Sequence, residues 1–305
     1  MVSRPAKNAL SDQAQELRRI VDIHRRELRQ ENGMLRTIVV LSGKGGAGKT
    51  NLSVNLAIAL KMDGHKSALL DADLGMANVD LLCGIVPQYT FLDIIRGDKN
   101  IEDVLVSTKQ GIIVLPGGAG VRELADIDDT QLSSFVSSLT ELEEKADFLV
   151  IDTGAGIHKG VMAFAGAADT TLIITTPEPT SIRDAYGVLK SINNYCMSSS
   201  DVRIIVNMVS DENEGVEVAR RIQMAAKQFL GLSVSYLGHI LRDAKVEKSV
   251  RMREPFLEAF PECAASKCVL NLCSRLLGKS GILPHSVAAP RGIKNFFLRF
   301  IRGVT

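Results

Sequence analysis

The residues best equipped for chemistry lie in one short run, Gly43-Lys44-Gly45-Gly46-Ala47-Gly48-Lys49-Thr50, which satisfies G-x-x-x-x-G-K-[ST]. Glycines at these places let the backbone wrap an anion with its N–H groups pointing inward, and the lysine adds a point charge. The preceding TIVVLS (37–42) reads as a strand and Asn51 onward as a helix. The loop therefore opens a helix, whose N-terminal dipole adds positive potential. In that context Lys49 is expected to reach the β- and γ-phosphates of a nucleotide. The Thr50 hydroxyl is expected to ligate Mg²⁺, and Asn51 closes the nucleotide-binding run.

Carboxylates stand where such a site needs them. Asp71 and Asp73 close SALLDAD (67–73), and Asp152 closes FLVID (148–152). In doubly wound sheets ligands lie beyond the carboxyl ends of the strands. Asp71 and Asp73 point the same way on a strand, with Asp73 further toward the site. Asp152 is expected to hold Mg²⁺ through water. The loop after it, Thr153-Gly154-Ala155-Gly156, offers the N–H groups of Gly154 and Gly156 as a sensor of the γ-phosphate. Asn207 ends VRIIVN (202–207), and its amide carries both a donor and an acceptor for a base edge. No guanine-type N-K-x-D is present, which favours ATP over GTP.

Lys44, one residue after the first glycine, gives K-G-G-x-G-K-T, which resembles the deviant Walker A motif of the MinD/ParA family. The likeness spans about residues 36–277. It implies a P-loop ATPase that uses ATP, ADP and Mg²⁺ and forms an ATP-dependent homodimer. In that dimer Lys44 would cross to the partner's nucleotide and stabilise charge developing at the γ-phosphate, as an arginine finger does. By the same resemblance Asp73 orients the attacking water and joins Thr50 and Asp152 around the metal, while Asp71 is more structural. Asn207 would pair with adenine. Leu237–Asp243 resembles the family's G-x-I-P-x-D, with Leu241 in place of the proline, and so brings Ile240 and Asp243 to the base pocket.

The elements that must position these residues are legible as continuous apolar runs: 37–42, 67–73, 112–116, 148–152, 171–176, 202–207 and 234–238. Helical segments such as 51–63, 129–145, 180–194 and 215–230 intervene. Continuous rather than alternating runs mean strands covered on both faces. Strand–helix repetition predicts an α/β fold with a doubly wound, mostly parallel sheet flanked by helices. The chain divides into an N-terminal extension (1–33), an ATPase domain (34–277), a Gly/Pro/Ser/Ala linker (278–291) and a C-terminal amphipathic helix (292–305).

The two ends refine the resemblance. Asp12-Gln13-Ala14-Gln15-Glu16-Leu17-Arg18 is similar to the D-Q-A-x-x-L-R helix of the flagellar-number regulators, the FlhG branch of the family. Asp12, Gln13, Leu17 and Arg18 would there activate an SRP-type, FlhF-like GTPase, with Gln13 entering the partner's active site. DADLGMANVD (71–80), LPGGAGVRELADI (115–127) and TTPEPTSIRDAYGVLK (175–190) carry the same likeness. At the other end Ile293, Phe296, Phe297, Phe300 and Ile301 fall on one helical face, with Lys294, Arg299 and Arg302 on the other side. That pattern predicts a helix lying in the interface of an anionic membrane. The branch also implies partners among flagellar basal-body or transcription-regulator proteins.

Composition narrows the alternatives. The formal net charge of +1 over 305 residues argues against bulk attraction to nucleic acid, and no sequence-specific nucleic-acid partner is expected. No apolar run is long enough for a membrane span. The five cysteines show no two-residue gap of a metal knuckle and read as reduced thiols. A cytoplasmic protein attached peripherally to the inner face of the cytoplasmic membrane is the expectation. A metal-cluster carrier would need suitably placed cysteines. A tyrosine autokinase would carry a tyrosine-rich tail, yet all four tyrosines lie at or before 236. A MinD-type division-site selector and a ParA-type DNA partitioner stand as alternatives within the family. A carboxylase or synthetase on the same scaffold also stays open.

Overall fold

A computed structural model describes residues 35–73, 78–117, 141–195, 201–279 and 292–304. Its core is an eight-stranded sheet in the order β3-β4-β2-β5-β1-β6-β7-β8. The strands are β1 Arg36–Leu41, β2 Ser67–Ala72, β3 Val106–Ser107, β4 Ile113–Leu115, β5 Phe148–Thr153, β6 Thr170–Thr175, β7 Asp201–Val209 and β8 Ser235–Leu241. Each expected apolar run forms a strand. The element not anticipated is β3, two residues long and antiparallel to β4 at the edge. Every other pairing is parallel.

Helices cover both faces. On one side lie α1 Lys49–Met62, α2 Val79–Cys83, α9 Phe256–Ala259 and α10 Ala264–Leu276, with Leu52, Leu56, Leu60, Leu272 and Leu276 in the interior. On the other lie α3 Phe91–Ile95, α4 Ile101–Val104, α5 Lys159–Ala167, α6 Pro179–Tyr195 and α7 Glu212–Leu230. The helix α8, Ala244–Met252, follows β8. Strands β2, β5 and β6 are buried along their whole length, which explains why their sequences do not alternate. The helix expected over 129–145 lies largely outside the described residues; its last turn, 141–145, is helical.

The C-terminal helix α11, Ile293–Val304, forms as expected but packs against the domain instead of presenting its apolar face outward. Ile293, Phe296, Phe297 and Phe300 are each 0% exposed. Phe164 of α5 meets Phe300 with ring centroids 4.3 Å apart and Phe296 at 6.1 Å, while Phe91 of α3 stacks on Phe297 at 5.9 Å. Glu143 accepts from the Ile293 N–H at 2.5 Å, an acidic cap on the helix N-terminus. Arg299 approaches Asp169 at 3.8 Å, and Lys294 is exposed. In the free chain the helix is therefore docked. Aromatic side chains more than a hundred residues upstream supply an apolar groove, and burial there removes about 1.5–3 kcal/mol of exposure cost per large side chain. Among the described residues no helix is long and apolar enough to cross a membrane.

Candidate active site

Strand β1 sits between β5 and β6, and the phosphate loop leaves its carboxyl end. Two of the loop's glycines are fixed by close approach. A Cβ on Gly43 would lie 2.5 Å from the Asp184 backbone of α6. Gly48 has a left-handed backbone (φ 95°), and a Cβ there would meet Asn207 Nδ2 at 2.3 Å. Gly45 and Gly46 face open space, with nothing within 4 Å of an added Cβ. The loop is therefore clamped at both ends and unobstructed in the middle, where phosphate would lie.

Lys49 is buried at the first turn of α1, and its ammonium donates to Ser42 Oγ at 3.0 Å. Burial pulls its pKa down, while the charges of Asp152 and Asp73 oppose that shift. Ser42 Oγ in turn donates to the Lys44 carbonyl at 2.7 Å, so one hydroxyl ties the Lys49 ammonium to the loop backbone. Asp152 accepts from Ser53 Oγ at 3.0 Å. Burial pushes its carboxyl up to about 7, against the hydrogen bond from Thr50 and the charge of Lys49. A fully buried carboxylate beside a threonine hydroxyl and one lysine is a donor set short of positive charge. Mg²⁺ held by Thr50 and Asp152 fits it and would supply that charge and polarise a phosphate oxygen.

Asp71 and Asp73 differ in burial and in partners. Asp71 is buried and accepts from the Asp73 N–H at 3.1 Å and the Val79 N–H at 3.3 Å, holding both ends of the 73–79 loop. Burial, the largest influence, raises its carboxyl to about 6. Asp73 is half-buried and turns its carboxylate toward the loop after β5, where a Cβ on Gly154 would lie 3.4 Å from Asp73 Oδ1. That loop is tied to the phosphate loop, since the Gly156 N–H donates to the Ser42 carbonyl at 3.0 Å. Lys49, Thr50, Asp73, Asp152, Gly154 and Gly156 thus converge at one end of the sheet.

The expected base-pocket residues make backbone contacts in the free chain. Asn207 Nδ2 donates to the Ala47 carbonyl at 2.8 Å, and its Oδ1 accepts from the Met208 N–H at 2.9 Å. One amide hydrogen and one carbonyl lone pair of Asn207 are thus engaged by backbone and clamp the phosphate loop, while the second of each remains for a base edge. Met208 adopts φ 60°, a strained backbone for a large side chain, beside a break in the β7–β8 register. Asp243 caps two helices: Oδ1 accepts from the Lys245 N–H at 2.9 Å and Oδ2 from the Ala264 N–H at 3.0 Å. Ile240 points into the core. Within the motif around 237–243, Asp243 anchors the starts of two helices and Ile240 packs in the core. Asn51 Oδ1 is buried with no hydrogen-bond partner.

Residues not singled out from sequence complete the site. Ser53 lies three positions after Thr50 on α1, the spacing that puts both on one helix face, so periodicity would have found it. Glu178 and Thr180 receive the Lys44 ammonium, and no local spacing signals a contact across 134 residues. Gln13 and its neighbours lie outside the described residues, as does most of the linker. Among the described residues no group of three or more His, Cys, Asp or Glu side chains is placed to hold a metal, and Cys83, Cys263, Cys268 and Cys273 are free thiols.

The CobQ/CobB/MinD/ParA nucleotide binding domain matches residues 38–256, well over half of the chain. The chain belongs to this family. As a MinD/ParA-type member it is an ATPase regulator, with ATP, ADP and Mg²⁺ as cofactors. It is 36% identical over 264 residues to the antiactivator FleN of Pseudomonas aeruginosa, covering 87% of this chain and 92% of that protein. It is 31% identical over 297 residues to the flagellum site-determining protein YlxH of Helicobacter pylori, covering 96% and 99% respectively. The septum site-determining protein MinD of Pyrococcus horikoshii, solved with Mg-ADP, superposes with a TM-score of 0.64 at 25% identity, covering 82% of this chain and 98% of that one.

Proposed function

We propose that this ATPase is a spatial switch of the flagellar branch of the family, controlling flagellar number or placement. In the ADP-bound or free state it is a monomer with α11 seated in its groove. MgATP favours a homodimer in which Lys44 reaches the partner's nucleotide. The dimer releases α11, and Ile293, Phe296, Phe297, Phe300 and Ile301 then enter an anionic membrane surface beside Lys294, Arg299 and Arg302. The assembly sits on the inner face of the cytoplasmic membrane and stimulates an SRP-type GTPase through Asp12, Gln13, Leu17 and Arg18.

One observation carries the reading: a helix with a basic polar side and a wholly apolar face is docked intramolecularly at the end of a linker. In the docked state Arg299 faces Asp169 and Lys294 is exposed, so a cation is already presented to solvent beside the buried apolar face. Displacing four fully buried side chains is costly, so a single tail binds lipid weakly. Two tails on one dimer gain from effective concentration, which lets nucleotide state control attachment. Similarity to FleN and YlxH supports the flagellar assignment, and likeness to MinD supports division-site selection as the second reading.

GTP hydrolysis by a candidate SRP-type GTPase, with and without a peptide of residues 1–32, separates the two. The flagellar reading predicts stimulation that is lost in Gln13→Ala. No stimulation by the wild-type peptide contradicts it and leaves the division-site reading.

A further inference from the structure

We propose that Glu178, assisted by Thr180, is a positioning residue that holds Lys44 within its own subunit and sets the ATP concentration at which Lys44 is given up to a second copy of the chain. The proposal rests on the ATP-linked dimer above and names its regulation. Lys44 Nζ contacts the Glu178 carboxylate and lies 3.3 Å from Thr180 Oγ1. Both partners belong to the start of α6, whose Asp184 backbone presses on Gly43. The carboxylate and the lysine are therefore held at a set distance by packing between α6 and the phosphate loop. From below, Ser42 Oγ bonds the Lys44 carbonyl and fixes where the side chain starts.

An ammonium on Glu178 and an ammonium on a phosphate in another subunit are mutually exclusive positions of one side chain. The contact holds the Glu178 carboxyl below its ordinary range, first through the hydrogen bond from Lys44 and further through the charge of Arg242. Glu178 is 62% exposed and Lys44 31%, so the pair is solvent-screened and weak. A pair of that kind shifts an equilibrium by about two- to five-fold. Two subunits must each release one, so the dimerisation constant shifts by about four- to twenty-five-fold. That is a bias on a threshold, weak enough for MgATP to override.

Two readouts test it on the full-length protein. Acetylation of Lys44 by an amine-reactive ester, mapped by mass spectrometry against the exposed Lys61, reports the latch in ligand-free protein. Glu178→Gln is expected to raise Lys44 labelling at least two-fold, and Glu178→Asp to restore most of the protection. Sedimentation velocity across an MgATP titration reports the consequence: Glu178→Gln should reach half-maximal dimer at a several-fold lower ATP concentration than wild type. Equal Lys44 labelling in wild type and Glu178→Gln overturns the latch. So does a Glu178→Gln dimer that needs as much ATP as wild type or more, since the carboxylate would then serve the dimer. A wild-type chain that stays monomeric in ATP refutes the dimer reading instead, and with it the latch's stated role, while labelling still reports whether the contact exists.

Discussion

Asp71 and Asp152 stand directly opposite each other on the adjacent parallel strands β2 and β5, both buried at the carboxyl end of the sheet. Burial raises both carboxyls, Asp71 to about 6 and Asp152 to about 7. A raised acid binds more protons in the folded than in the unfolded chain. Stability of the ligand-free protein should therefore fall as pH rises from about 4 to about 7, with the full penalty present above that window. Asp152→Asn keeps an oxygen to accept from Ser53 and removes the buried charge. It should stabilise the ligand-free protein at pH 8 by about 4 kcal/mol at most, the equivalent of about three pKa units, seen as a higher melting temperature, with the gain shrinking toward pH 5. Thermal melts at the two pH values check this, and a variant less stable at pH 8 would refute the account of the carboxylate. The same variant should lose Mg²⁺-dependent hydrolysis.

The phosphate loop makes a contrasting pair. Gly43→Ala puts a methyl 2.5 Å from the Asp184 backbone, which has no side-chain freedom to yield. It should lower stability by about 1–3 kcal/mol, as overpacking does. Gly45→Ala meets nothing within 4 Å, so the stability of the ligand-free protein should hold within about 0.5 kcal/mol. Its MgATP affinity should nonetheless drop, because the open space is where phosphate would lie. Calorimetric melts and MgATP titrations on both variants separate packing from binding.

Phe164 touches the tail through Phe296 and Phe300 and carries no lipid-facing role itself. Phe164→Ala should cost about 3–5 kcal/mol of stability as a core truncation. It should also loosen α11, making vesicle binding less dependent on ATP. Unchanged vesicle binding in ADP would show that the groove does not restrain the tail.

The contrast between what the sequence announces and what only the fold reveals is itself physical. Runs such as TIVVLS and FLVID announce buried parallel strands because both faces must be apolar, whereas the two-residue β3 carries too little pattern to be seen. Lys49, Thr50 and Asp152 were legible because phosphate and Mg²⁺ chemistry demands those residue types at strand ends. The motifs around Asn207 and Asp243 give each side chain's identity, but not the backbone N–H and C=O groups it also holds, which only the fold reveals. The tail's apolar face was plain at i, i+3, i+4 spacing, but its destination depended on Phe91 and Phe164. Glu178 was hidden for the same reason, since only tertiary packing brings it to Lys44.

Co-sedimentation of the full-length protein with anionic vesicles, in MgATP and in MgADP, tests the central claim most directly. The account predicts strong pelleting in ATP, little in ADP, and loss of the ATP response in Lys44→Ala. Equal pelleting in the two nucleotides would contradict a tail released by ATP.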